Sequence, residues 1–192
     1  MAYADTTRKA EAQASIVLSL NVTLNSTVAG NLVVAGTASF LVAGAAPNPV
    51  VTDGGNTWTQ SFNNNSTVGA ETQGVSVSQS VLGTGGNRTI NTDPGTGTYD
   101  ISAYVHEFSG PHATPASGTP VSASGTTETT LDTGAFTPAD ADALYVAIGF
   151  GYDTTTGITE NASPGDADWN LSNEMEAGAA APVYRRNGDK FR

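Results

Sequence analysis

The chain has 192 residues, of which 38% are hydrophobic and 13% charged, with a net charge of −11 and no cysteine. Disulfides and thiolate metal centres are therefore excluded, and an acidic body of this kind repels nucleic acid. No apolar run approaches the roughly 18 residues that a membrane-crossing helix needs, and abundant Gly, Ser, Thr and Asn favour short strands and many turns.

Residues 1–14 are polar and Ala-rich and read as an N-terminal arm, either a frayed helix or an extended segment. They lack the apolar stretch of a secretory leader, so synthesis in the cytoplasm is expected. The first strand is expected over residues 16–23, where Leu18, Leu20, Val22 and Leu24 alternate with polar residues and imply one buried face. A turn at Val28–Asn31 leads to a longer apolar strand over 32–42, with Gly36 as the point of a bend or bulge. Residues 50–59 read as a hairpin around Asp53-Gly54-Gly55-Asn56. Residues 62–70 read as a polar loop with Asn63, Asn64 and Asn65 at its tip. Val75, Val77, Gln79 and Val81 mark a strand of period two. Two turns, at 83–86 and at Asp93-Pro94-Gly95, enclose a short segment at Thr89-Ile90.

Residues 98–109 form the clearest strand, with Tyr99, Ile101, Ala103 and Val105 on one side. A Pro-, Ser- and Gly-rich crossing over 110–126 precedes an expected strand at 128–133. Residues 144–150 read as the buried central strand of a second half, followed by a loop over 154–165 and a strand over 168–175. A connector at 177–181 and a short strand at 182–186 complete the chain.

The stretch from Thr130 to Phe150 echoes an earlier one from Thr23 to Gly36. Each runs from a Thr-Leu-Asn/Asp triplet through a small-residue loop into an apolar strand. Leu32 stands 26 positions before Trp58, and Leu144 stands 25 before Trp169. The expected fold is therefore all-β: an antiparallel β-sandwich, jelly-roll or Ig-like, of two related halves. It spans residues 15–176, with the arm before it and a basic tail over 177–192. Trp58 and Trp169, the only tryptophans, are assigned to core packing in equivalent positions. The second half lacks a counterpart to the strand at 98–109, so the arm or a partner chain is expected to complete its edge.

Six of the seven basic residues lie near the ends: Arg8, Lys9, Arg185, Arg186, Lys190 and Arg192. On an acidic body they are candidates for gripping an acidic neighbour, the alternative being solvated tails. Chemistry is sparse. His106 and His112 lack convergent partners for a metal, and His106 and Glu107 point to opposite faces of one strand, so they form no dyad. Asp140 with Asp142 and Asp166 with Asp168 fit turn chemistry better than a calcium loop. There is no Gly-x-Ser-x-Gly elbow, and Gly83-Thr84-Gly85-Gly86 lacks the lysine of a phosphate loop. No catalytic, cofactor-binding or metal residue is expected, and the chain is not expected to be an enzyme.

Leu32-Val33-Val34-Ala35, Asp53-Gly54-Gly55-Asn56-Thr57-Trp58 and Ala103-Tyr104-Val105-His106-Glu107-Phe108-Ser109-Gly110 together resemble β-sandwich domains of tailed-phage structural proteins and bacterial surface proteins. Asp142-Ala143-Leu144-Tyr145-Val146-Ala147 matches more loosely, and the likeness spans about residues 15–175. The resemblance implies a virion structural protein on the outer capsid surface, of the decoration or cement type, with the major capsid protein and neighbouring copies as partners. A homo-oligomer, dimer or trimer, is expected, with no nucleic acid and no membrane among its partners. A glycan-binding or adhesion module is the alternative, with a hydrolase third. These motifs signal a fold and carry over no active-site residue.

Overall fold

The computed structural model describes residues 4–41, 47–68, 71–110, 144–152, 169–175 and 183–191. Among them every regular element is a strand: β1 (Ala4–Val17), β2 (Leu20–Thr27), β3 (Leu32–Leu41), β4 (Val50–Thr52), β5 (Thr59–Val68), β6 (Glu71–Val81), β7 (Gly86–Asp93), β8 (Tyr99–Ser109), β9 (Leu144–Tyr152), β10 (Trp169–Met175) and β11 (Val183–Phe191). All their pairings are antiparallel. The chain divides into two compact units, Tyr3–Ala116 and Ser117–Arg192.

The first unit holds a five-stranded sheet, ordered β1-β8-β3-β6-β5, and a three-stranded sheet, ordered β2-β7-β4. Among its successive strands, β5 and β6 alone form a hairpin within one sheet; every other connection crosses to the opposite sheet. Both sheets contribute to one core: Leu20, Val22, Leu24, Val51 and Ile90 from the smaller, and Val33, Ala35, Tyr99, Ile101, Ala103 and Val105 from the larger. This is a sandwich-like arrangement, stabilised without disulfides by side chains that contribute about 1.5–3 kcal/mol each when fully buried. β8 shows the expected inward row, and its opposite row, Tyr104, His106 and Phe108, is buried as well. The Tyr104 hydroxyl lies 3.1 Å from His106 Nδ1, and the His106 and Phe108 rings stack with centroids 4.2 Å apart. His106 is thus a packed, hydrogen-bonded histidine.

Several expectations change. The stretch read as an N-terminal arm is strand β1 over Ala4–Val17, on the edge of the larger sheet and paired with β8. Its Ala10, Ala12 and Ala14 pack against the core, and small side chains on alternate positions are enough for an edge strand. Leu18, expected in the buried row, is 66% exposed, because the chain leaves one sheet between Val17 and Leu20. Residues 50–59 are not a hairpin: β4 pairs with β7 and β5 with β6, so Asp53–Trp58 is a corner between sheets. The polar stretch at 62–70 is a strand as far as Val68; an edge strand needs only one paired side and tolerates asparagine. The segment at Thr89-Ile90 belongs to the longer β7, the middle strand of its sheet.

The valines of β6 are only partly buried, whereas Ser76, Ser78 and Ser80 are buried on the inner face. The larger sheet is wider than the smaller, and the crossing segment 47–58 lies against this inner face. Its carbonyls need donors. Ser80 Oγ donates to Thr57 O at 2.9 Å, Ser76 Oγ to Pro49 O at 3.3 Å, and Gln60 Nε2 to Pro49 O at 2.9 Å. Backbone acceptors buried without partners are costly, which explains serine here in place of an apolar residue. Gly74 continues the same face, and a Cβ there would collide with the Pro47 carbonyl.

In the second unit the described strands form one sheet ordered β10-β11-β9. β9, read as a central strand, lies at one end of this order, and β11 occupies the middle over Val183–Phe191. The basic segment is therefore largely strand, because Val183 to Phe191 pairs without interruption with Tyr152 to Leu144. β3 is internal to a five-stranded sheet, so among the described residues the two halves have different strand orders. The expected strand at 128–133, both aspartate pairs, His112 and the crossing at 111–126 lie outside the described residues.

Candidate functional site

Glu107 lies on the inner face of β8, opposite Val33 of β3, at the end of the sandwich where the β2–β3 turn sits. Its carboxylate is fully buried. Oε1 accepts from Val28 N at 2.9 Å and from Asn31 Nδ2 at 2.6 Å, and Oε2 faces Arg8 Nη1 at 3.6 Å. The Thr6 hydroxyl donates to Glu107 O at 2.6 Å. One glutamate therefore ties together the edge strand β1, the inner strand β8 and the inter-sheet turn. A buried carboxylate is tolerable only with such partners, so this cluster ties the fold together at this end, with Oε2 accepting no hydrogen bond and facing only the Arg8 guanidinium.

Asp53 caps the corner between β4 and β5. Its Oδ1 accepts from Gly55 N at 3.1 Å and Asn56 N at 2.8 Å, and its Oδ2 accepts from the Asn56 side chain. Gly54 supplies the left-handed backbone (φ 73°) that the turn requires. Asn56 Oδ1 accepts from Gly83 N at 2.8 Å, tying the corner to the next loop. Arg88 Nη1 stands 4.0 Å from Asp53 Oδ2. Burial pushes the Asp53 carboxyl up, but hydrogen bonds from Asn56 and Gly55 outweigh it and hold the group below its ordinary value of 3.8. The Trp58 indole acts in the same direction, although its N–H closes no regular hydrogen bond.

A carboxyl depressed in the folded state contributes stability above its unfolded pKa and loses it as pH falls through the folded one. Thermal unfolding midpoints measured from pH 6 down to pH 2 should therefore fall below about pH 4, and Asp53→Asn should flatten that fall. An unchanged acid limb in the variant would show that other carboxyls dominate.

At the opposite end of the sandwich, β1 passes to β2 through a bulge between Ala14 and Val17. Ile16 adopts φ 56°, a left-handed conformation that is rare for a β-branched residue. Its N–H donates to Asp100 Oδ1 at 3.0 Å. Ile16 is 78% exposed, and Leu18 stands out beside it, while Val17 between them packs inward. Two large apolar side chains are thus presented to solvent on a pinned, strained backbone.

The candidate residues fall in different places. Arg8 turns toward Glu107, whereas Lys9 is exposed on β1 with its Cα opposite that of His106. Arg185, Arg186 and Lys190 stand on β11, opposite Phe150, Gly149 and Tyr145 of β9, and Arg192 lies outside the described residues. Trp58 is partly buried against the core of the first unit, and Trp169 opens β10 opposite Lys190. Among the described residues there is no group of three or more His, Asp or Glu that could hold a metal. Sequence reasoning missed Glu107 and Ile16 as key positions. A carboxylate continuing the inward row of Tyr99, Ile101, Ala103 and Val105 was the available signal for the first; the second had none, since positive φ at isoleucine follows no sequence rule. Comparison of the chain with protein-family models, curated proteins and solved structures finds no match.

Proposed function

We propose that this chain is a virion structural protein, a decoration or cement protein that stabilises a tailed-phage capsid by many small contacts. The observation that carries this reading is the Ile16–Leu18 knuckle, held out by the Asp100 hydrogen bond at the end of a sandwich-like body. Strain retained at an exposed position points to a contact made there. The buried carboxylates Glu107 and Asp53 are engaged in closing the fold, which suits a passive role. In this reading the body is an Ig-like or jelly-roll sandwich. Lys9, Arg185, Arg186, Lys190 and Arg192 add charged contacts to the major capsid protein or to neighbouring copies, and modest contacts repeated over a lattice add up through multivalency. The glycan-binding alternative has less support, because Trp58 packs against the core instead of forming an exposed platform.

The test is co-sedimentation with the cognate capsid particles. Ile16→Gly relieves a left-handed strain of about 1–2 kcal/mol, so the variant should unfold no more easily than the parent. Combined with Leu18→Ser it should weaken attachment at least about tenfold, since each lost apolar contact is worth about 1.5–3 kcal/mol. A double variant that sediments with capsids as well as the parent, or a parent that does not sediment with them, would overturn the reading.

A further inference from the structure

β5 is the terminal strand of the five-stranded sheet and, among the described residues, pairs with β6 alone. Its outer side carries a row of backbone donors and acceptors of the kind that recruits another strand. Natural edges are commonly guarded by charge, proline or a bulge. β5 has no charged residue and no proline, in a chain of net charge −11. The other outer strands of this unit are guarded: β1 carries Asp5, Arg8, Lys9 and Glu11, and β4 has only three residues. β2 is uncharged, but a bulge between Leu24 and Thr27, with Ser26 at φ 55°, interrupts its ladder. β5 has its own bulge between Gln60 and Phe62, but beyond it the register against β6 is unbroken from Phe62 to Val68, which leaves a regular edge over that stretch.

We propose that β5 is a self-association edge: two copies pair their β5 strands antiparallel about a two-fold axis at Asn64, joining their larger sheets into one. This register sets Asn64 opposite Asn64 and Asn63 opposite Asn65. An asparagine amide both donates and accepts, so three in a row are complementary to their own reversal. Asn63 spends its amide N–H on Asn48 Oδ1, 2.6 Å away, which leaves its carbonyl as an acceptor for the facing Asn65. A two-fold interface of one patch with itself needs this self-complementarity. It also needs an approach free of like-charge repulsion, and on an acidic chain the neutral β5 edge provides one. The pairing does not depend on capsid attachment and is read on the purified chain alone.

Sedimentation velocity over a concentration series tests it. The parent should shift from monomer to dimer as concentration rises. Asn64→Lys and Asn64→Glu, each placing like charges face to face, should remain monomeric with unchanged circular dichroism, and an equimolar mixture of the two should dimerise again. Should either variant fail to fold, Asn64→Cys offers a second route, because the chain has no other thiol. A short bis-maleimide should link Asn64→Cys at least about tenfold faster than Thr23→Cys on β2, reflecting the raised effective concentration at the axis. A parent monomeric throughout, charged variants that dimerise like the parent, or equal linking rates at the two cysteines would overturn the proposal.

Discussion

Glu107→Ala is expected to lower the stability of the first unit by about 3 kcal/mol, through the loss of two charge-assisted hydrogen bonds and the orphaning of their donors. The donors are Val28 N and Asn31 Nδ2, which converge on Oε1. Without that oxygen the β2–β3 turn loses its link to β8. Arg8, which is only partly buried, can turn to solvent, so the orphaned donors set most of the cost. Glu107→Gln separates hydrogen bonding from charge: it keeps an acceptor for both donors and removes the charge, with both the attraction to Arg8 and the charge assistance of the two hydrogen bonds, so it should cost about 1 kcal/mol. Urea unfolding followed by circular dichroism measures both. Equal losses in the two variants would mean that charge, and not hydrogen bonding, holds this end together. A loss below about 0.5 kcal/mol for alanine, the range of ordinary surface changes, would remove the clamp from the account.

Phe108→Ala should be at least as damaging, at about 3–5 kcal/mol. Phe108 is fully buried, stacks on His106 and has its Cα opposite Leu32 on β3 and Asp5 on β1. Its removal leaves a cavity between strands that a sheet cannot close, because the ladders on both sides fix the backbone. Phe108→Leu fills part of that volume and should recover about half the loss. Against a typical total of about 5–15 kcal/mol, the alanine variant should unfold at a markedly lower temperature by calorimetry. If Phe108→Ala and Phe108→Leu cost the same, ring stacking and not volume would be the dominant contribution. These two predictions concern adjacent residues on opposite faces of β8. The strand is under demand from both sides, which is why the run from Ile101 to Phe108 has no exposed position.

That double burial also explains which parts of the fold were legible beforehand. β3 and β8 are marked by apolar runs, and β2 by its alternation from Leu20 to Leu24; these features are local. β5 was misread as a loop because asparagine disfavours strands on average, yet an edge pairs on one side only. β6 was found as a strand of period two, but which of its faces is the inner one was not legible. Valine suggests the core, whereas the inner face there meets the carbonyls of Pro49 and Thr57 and requires hydroxyls. Of the candidate contact residues, the charge pattern offered Arg8 as a grip for an acidic neighbour, and nothing near it in sequence reveals Glu107, 99 positions away, as the carboxylate it faces.

By itself the sequence determined that the described residues form antiparallel strands and that the chain has no disulfides, because alternation, turn chemistry and the lack of cysteine act over a few residues at a time. The tertiary structure alone decided that the first segment is an edge strand, that Asp53–Trp58 is a corner between sheets, and that Ile16 is held outward. Each of those depends on which distant strand lies alongside, and strand pairing is a matter of contacts far apart in the chain that no short stretch encodes.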